Sequence, residues 1–159
     1  MNHNPRTLRW LVLVAMIAAG GCILFQGCSK QSPTQAPTST VVTGVGSITV
    51  NQTSGSFDDY SFVSAGRNYG KIKLVSSGGG NSSFEAYGIV QSSATVAPES
   101  FPGISAAVTL GYSYILQTDI APHFGKVTVT AVNVNSAAQT VTVQFNWLVQ
   151  TEAGNRSLQ

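Results

Sequence analysis

The chain has 159 residues, only 9% of them charged, and a formal net charge of +2. Arg6 and Arg9, at the N-terminus, supply the excess. Beyond them six basic residues (Lys30, Arg67, Lys71, Lys73, Lys126, Arg156) stand against six acids (Asp58, Asp59, Glu85, Glu99, Asp119, Glu152), a balance of zero. A neutral domain without clustered Lys and Arg has no electrostatic footprint for nucleic acid, and that class of partner is excluded.

The chain opens MNHNPRTLRW and continues into an apolar run, Trp10 to Phe25, interrupted by Gly20 and Gly21. That run is shorter than the roughly 20 apolar residues of a bilayer-spanning helix. A basic start, an apolar stretch and small residues before a break describe a secretory signal peptide. The segment resembles a bacterial lipoprotein signal, in which apolar residues and a small residue precede a cysteine that takes a diacylglyceryl group before cleavage. Cys22 follows Ala18-Ala19-Gly20-Gly21, and Cys28 follows Leu24-Phe25-Gln26-Gly27; both fit. Cleavage before Cys22 leaves apolar Ile23-Leu24-Phe25 at the mature start, whereas cleavage before Cys28 leaves polar Ser29-Lys30-Gln31-Ser32-Pro33.

The preferred reading is therefore a signal peptide over 1–27, lipidation (palmitate-bearing) at Cys28 and attachment to the membrane through that lipid. The expected location is the cell envelope, at the outer membrane or cell surface, facing away from the cytoplasm. The alternatives are lipidation at Cys22, an uncleaved anchor, and a disulfide between the two cysteines. The disulfide has no even set of cysteines in the mature domain to support it.

Residues 28–43, rich in Ser, Thr, Gln and Pro, read as a flexible tether. The domain then occupies 44–159, its start falling between Val41 and Ser47. Period-two alternation predicts strands at GSITV, SFDDYSFV, KIKLV and SFEAYGIVQ. A longer strand is expected in AAVTLGYSYILQT, with Val108, Leu110, Tyr112, Tyr114 and Leu116 alternating. In GKVTVTAVNV, Val127, Val129 and Ala131 are in phase while Val132 and Val134 are not, which predicts a bulge or a strand end. QTVTVQFNWLVQ places Val141, Val143, Phe145, Trp147 and Val149 on a core face; Thr140, Thr142, Gln144, Asn146 and Gln150 lie opposite, broken only by Leu148. A hairpin through Asn135-Ser136-Ala137-Ala138 joins the last two strands. Ser76 to Ser83 is expected to be a floppy loop. Short strands cut by Gly, Ser and Asn, with no helical stripe, define an all-β fold: a single domain, an antiparallel β-sandwich or open barrel.

The order GYSYILQT, FGKVTVTAV, VQFNWLVQTEAGNRSL also resembles the C-terminal part of uncharacterised extracytoplasmic bacterial lipoproteins, some of them HmuY-like haem binders. The resemblance implies an all-β lipoprotein. Haem binding is not carried over, because the Trp-Asp signature and a second mature histidine are missing. Within the chain, DYSFVSAGRNYGKIKLV echoes GYSYILQTDIAPHFGKVTV, read as two strand pairs with similar turn chemistry.

Material for catalysis is sparse. His123 is the one imidazole after His3 leaves with the signal, and no Gly-x-Ser-x-Gly elbow presents a nucleophile. His123, in Ala-Pro-His-Phe-Gly, reads as solvated in a turn. Asp58 and Asp59, as neighbours on a strand, point to opposite faces; with Asn51, Asn68 or Asp119 they make a thin calcium set and read as a solvated turn. Gly66 to Lys71 resembles a phosphate loop but has the wrong glycine spacing and Ile72 after the lysine, so it reads as a hairpin turn. No zinc cluster and no cofactor is expected. Tyr60, Tyr69, Tyr87, Tyr112 and Tyr114 are read as core-packing with hydroxyls at the rim, the alternative being a sugar-stacking strip. The functional expectation is a non-catalytic domain contacting an envelope protein, with a glycan- or small-ligand-binding module as the alternative.

Overall fold

The computed structural model describes residues 40–159. Cys22, Cys28 and the tether as far as Ser39 lie outside the described residues. Eight strands make up the described fold: β1 (Val41–Asn51), β2 (Phe57–Ser64), β3 (Arg67–Gly78), β4 (Asn81–Gln91), β5 (Gly103–Ala107), β6 (Ser113–Gln117), β7 (Phe124–Asn135) and β8 (Thr140–Gln150). All pairings are antiparallel, as expected from the alternating pattern. Strand β1 begins at Val41, inside the window expected for the domain start and three residues before the boundary at 44. Val41 to Thr43 pair with Gln150 to Leu148 of β8.

The strands follow the order β1-β8-β7-β6-β4-β3-β2, with β5 on β4. Strand β4 is a fork. Ser83, Phe84 and Glu85 pair with both β3 and β5, while Ile89 pairs with both β5 and β6. A residue has one neighbour on each edge, so β3 and β6 follow one another along the same edge of β4. The sheet thus divides into two leaves that share β4 and curl over one core, a form between barrel and sandwich.

The core lies between the leaves. Val141, Val143, Phe145, Trp147 and Val149 of β8 are all buried, as their alternation requires. Across from them Phe62 sits 5.4 Å from Trp147, and Phe84 touches both Tyr114 and Phe145 edge-on, at 5.6 and 5.8 Å. Opposite Trp147 and Phe145 on β1 stand Gly44 and Gly46, and the rings occupy the space their side chains would fill. Where the ends of the path approach each other, Tyr60 of β2 donates its hydroxyl to the Val45 carbonyl of β1 (2.9 Å) and accepts the Trp147 indole N–H (3.1 Å).

A second, smaller cluster explains Leu148. It packs with Ala97, Ile115, Phe124 and Leu158 on the outer side of β6–β8, beneath the 92–102 segment and the C-terminal tail. The two segments bridge at Val96 and Ser157. Phe101 stacks on Phe124 at 6.3 Å. Gln150, read from its phase as solvent-facing, is fully buried under this tail, where its amide donates to the Ser157 carbonyl (2.9 Å).

Three further expectations are corrected. AAVTLGYSYILQT is two strands: the chain turns at 108–112, leaving Leu110 and Tyr112 exposed, while the buried Tyr114 hydroxyl donates to Ala107 O (2.7 Å) and accepts from Thr109 N (2.8 Å). Those bonds and the Gly111 turn cost the long strand its continuity. Ser76 to Ser83 is a tight hairpin, with only Gly79 and Gly80 between β3 and β4; both have φ > 0, as a primed two-residue turn requires, and Ser76 and Ser82 are buried. The two echoing segments are both hairpins, but their turns differ: two residues (Ala65-Gly66) join β2 to β3, whereas Thr118 to His123 join β6 to β7. Of the bulge or strand end expected in β7, the bulge is present, between Val129 and Ala131, and it returns Val132 to the core side opposite Val143 while Ala131 faces Gln144.

Candidate functional site

The outer faces of the two leaves differ. That of β1, β8 and β7 carries Thr43, Ser47, Thr49, Asn146, Gln144, Thr142, Thr128 and Thr130, tied by bonds such as Thr49 to Thr142 (2.8 Å), with Val45 as its exposed apolar residue. It is mainly polar, and Val45 and Asn146 border two hollows on it, one of about 500 Å³ with Thr43, Lys126, Thr128 and Leu148, the other of about 420 Å³ with Ser47, Thr130 and Gln144.

The face of β2, β3, β4 and β5 is charged and apolar at once. Asp59, Lys73, Glu85 and Ser105 form one row across the four strands, because each is the register partner of the next. Lys71 Nζ reaches Asp59 at 2.8 Å, and Lys73 Nζ lies 3.8 Å from Glu85. The hydrogen bond and charge of Asp59 raise the Lys71 ammonium above its ordinary pKa, and Asp119 adds to this. Lys73 also lies over the Phe57 ring, 4.8 Å from its centre. Among these charges stand exposed Phe57, Ile104 and Tyr87, the last with 72% of its surface open.

The fork shapes this face. Ala86 and Tyr87 fall where β3 has left β4 and β6 has not yet arrived. A depression of about 160 Å³ lies on one side, lined by Asp59, Lys71, Glu85, Tyr87, Ile104 and Asp119. A second, of about 250 Å³, lies on the other against Gln117, Thr118 and Pro122; Tyr87 and Asp119 belong to both. Asp119 Oδ1 accepts the Lys71 backbone N–H at 3.1 Å, which satisfies the edge of β3 where its neighbour departs. Tyr87 therefore stands as an unpaired aromatic post between two hollows.

The residues singled out from sequence are distributed as follows. Asp58 and Asp59 lie within strand β2, not in a turn; Asp59 joins the row and Asp58, opposite Leu74, is exposed. His123 is buried, not solvated: its Nδ1 donates to the Gln150 carbonyl (2.9 Å) and its ring meets Tyr69 edge-on at 5.5 Å. Of the segment from Gly66 to Lys71, Gly66 alone is in the turn and the rest is strand. Of the tyrosines, Tyr60, Tyr69 and Tyr114 pack as expected, while Tyr87 and Tyr112 are exposed. The described residues hold no group of three or more His, Cys, Asp or Glu placed to bind a metal. Phe57 escaped notice because a strand's period does not say which face another leaf will cover, and Ile104 because the strand expected there begins only at Ala106, so that β5 is not foreseen.

These features define the class: a single all-β antiparallel domain with one polar outer face and one mixed apolar and charged face. Comparison with protein-family models, curated proteins and solved structures finds no match.

Proposed function

We propose that the chain is a lipid-anchored cell-envelope lipoprotein whose β domain is non-catalytic and acts by contact with another protein through the β2–β5 face. The observation that carries this reading is the exposure of Tyr87, Phe57 and Ile104 among paired charges. Aromatic and aliphatic anchors rimmed by charge are the composition of protein contact surfaces. Ile104 offers nothing to a sugar hydroxyl, which favours a protein over a glycan. The burial of His123, its Nδ1 committed to a backbone carbonyl, supports the non-catalytic reading.

Tyr87→Ala should leave the melting transition within about 0.5 kcal/mol of the parent, since an exposed side chain is removed. Capture of an envelope protein by the tagged chain should fall at least about tenfold, the loss expected of an aromatic hot spot. Equal capture by both forms would remove the face from consideration, and retention on a glycan array lost in Tyr87→Ala would replace the protein reading with the glycan one.

The anchor rests on the resemblance of residues 1–28 to a lipoprotein signal. Metabolic labelling with a fatty acid should mark the parent and Cys22→Ser, while Cys28→Ser should remain an unlabelled precursor. The opposite pattern would move the modified cysteine to Cys22, and labelling of neither parent nor variants would remove the anchor.

A further inference from the structure

Among the described strands three have only one ladder partner: β1, β2 and β5. The first two face one another across the Tyr60 bond to Val45. Strand β5 lies on β4 alone, and its sequence, GISAA, holds neither charge nor proline. Natural edges are blunted by Lys, Pro, bulges or a covering segment; β5 has only its shortness and the register shift opposite Ile104, between Glu85 and Ile89 of β4, while Ser105 to Ala107 stay in regular register.

The direction of its backbone groups follows from one bond. Val108 N donates to Ser82 O at 2.9 Å, and the register Ser83–Ala107 makes Ser82 and Val108 opposite residues. In an antiparallel ladder the groups alternate, so Ala106 also turns to β4 while Ala107 and Ser105 turn outward. The Ala107 carbonyl is capped by the Tyr114 hydroxyl. The N–H and C=O of exposed Ser105 thus point away from β4, on the side where no strand pairs with β5.

We propose that β5 of one copy pairs antiparallel with β5 of a second copy, on a two-fold axis at Ser105. This rests on the reading of the domain as one that works by contact. Identical strands paired antiparallel satisfy two-fold symmetry, and the two Ser105 residues exchange both N–H···O=C bonds. Electrostatics admit the copy. The strand carries no charge, and the two Glu85 residues, one strand in on each side, lie three strand spacings apart, roughly 14 Å. That exceeds the screening length of about 8 Å at physiological salt. Ile104, 65% exposed, comes opposite Ala106 of the copy and loses part of its contact with water. Two five-residue strands bury far less than the roughly 1,200 Å² of a stable interface, so the pairing is weak in dilute solution and strengthened where chains are confined.

The test uses the full chain. Directly opposed Cβ atoms on paired strands lie about 4.5–5.5 Å apart, close enough for a disulfide after a small adjustment. Under mild oxidation Ser105→Cys should run as a covalent dimer on a non-reducing gel. Lys73→Cys, on the same face two strands away, should not exceed the parent, in which any thiol left at Cys22 or Cys28 sets the background. Ser105→Pro removes an N–H that no internal bond uses, so its melt should match the parent's while lysine-reactive cross-linking into dimers falls at least about tenfold. A Ser105→Cys chain no more dimeric than Lys73→Cys overturns the pairing. If Tyr87→Ala abolishes capture of an envelope protein while Ser105→Cys remains monomeric, the contact reading stands and this pairing alone is overturned.

Discussion

Trp147→Ala should cost about 3–5 kcal/mol of unfolding free energy, against roughly 5–15 kcal/mol for a whole domain. The indole is 95% buried, lies against Phe62 and fills the space that Gly44 leaves empty; a Cβ on Gly44 would come within 2.5 Å of it. Removing it opens a cavity that the surrounding strands cannot close. It also takes away the N–H that Tyr60 accepts, at the seam where the two ends of the sheet meet. Gln144→Ala, three residues earlier on the exposed side, should change stability by less than about 1 kcal/mol. Denaturant melts of the two variants decide the matter. Near-equal midpoints would mean that the seam between β1 and β2 contributes little, and that the sheet stands as an open one.

Gly70→Ala is expected to be nearly as damaging, for a different reason. Gly70 has φ +104°, a conformation that a side chain resists at a cost of about 1–3 kcal/mol. The new methyl would also collide with the Thr118 side chain, 2.5 Å from its Oγ1, and come within 3.0 Å of Asp119 Oδ1. Thr118 is buried, and Asp119 holds the Lys71 N–H, so neither yields freely. The substitution should push β3 away from the end of β6 and loosen the fork beneath Tyr87. Gly55→Ala is the control: its φ is +82° but nothing stands within 4 Å of the new carbon. Thermal melts should show a loss at Gly70 of at least about 3 kcal/mol, strain plus overpacking, and only the strain at Gly55. Equal losses would assign the whole effect to backbone strain and leave the close approach of β3 to β6 without energetic weight.

Both variants bear on the candidate contact face, because the fork that holds Tyr87 out exists only while β3 and β6 share one edge of β4. Tyr87 has no register partner of its own in β3 or β6. Its exposure is therefore a property of the junction, and a change at Gly70 should alter the proposed contact through Tyr87 even where the fold survives.

The sequence by itself determined the all-β class, because alternation over β8 puts every second residue, Val141 to Val149, on one side whatever it packs against. It determined the last hairpin for the same reason, and the change of phase from Val129 to Val132 called for a bulge or a strand end, of which the structure has the bulge. It flagged Leu148 without explaining it, since the loop and tail that cover it are remote in the chain. Tertiary structure alone decided the fates of Gln150 and His123, whose burial comes from a tail folding over a strand end. It decided the break at 108–112, where Tyr114, reaching across from β6, supplies the bonds that a continuous strand would have needed from a neighbour. It also decided the candidate site. Periodicity tells which residues share a face, but which face is covered depends on how two leaves close, and Tyr87, Ile104 and the free edge of β5 are what that closure leaves outside.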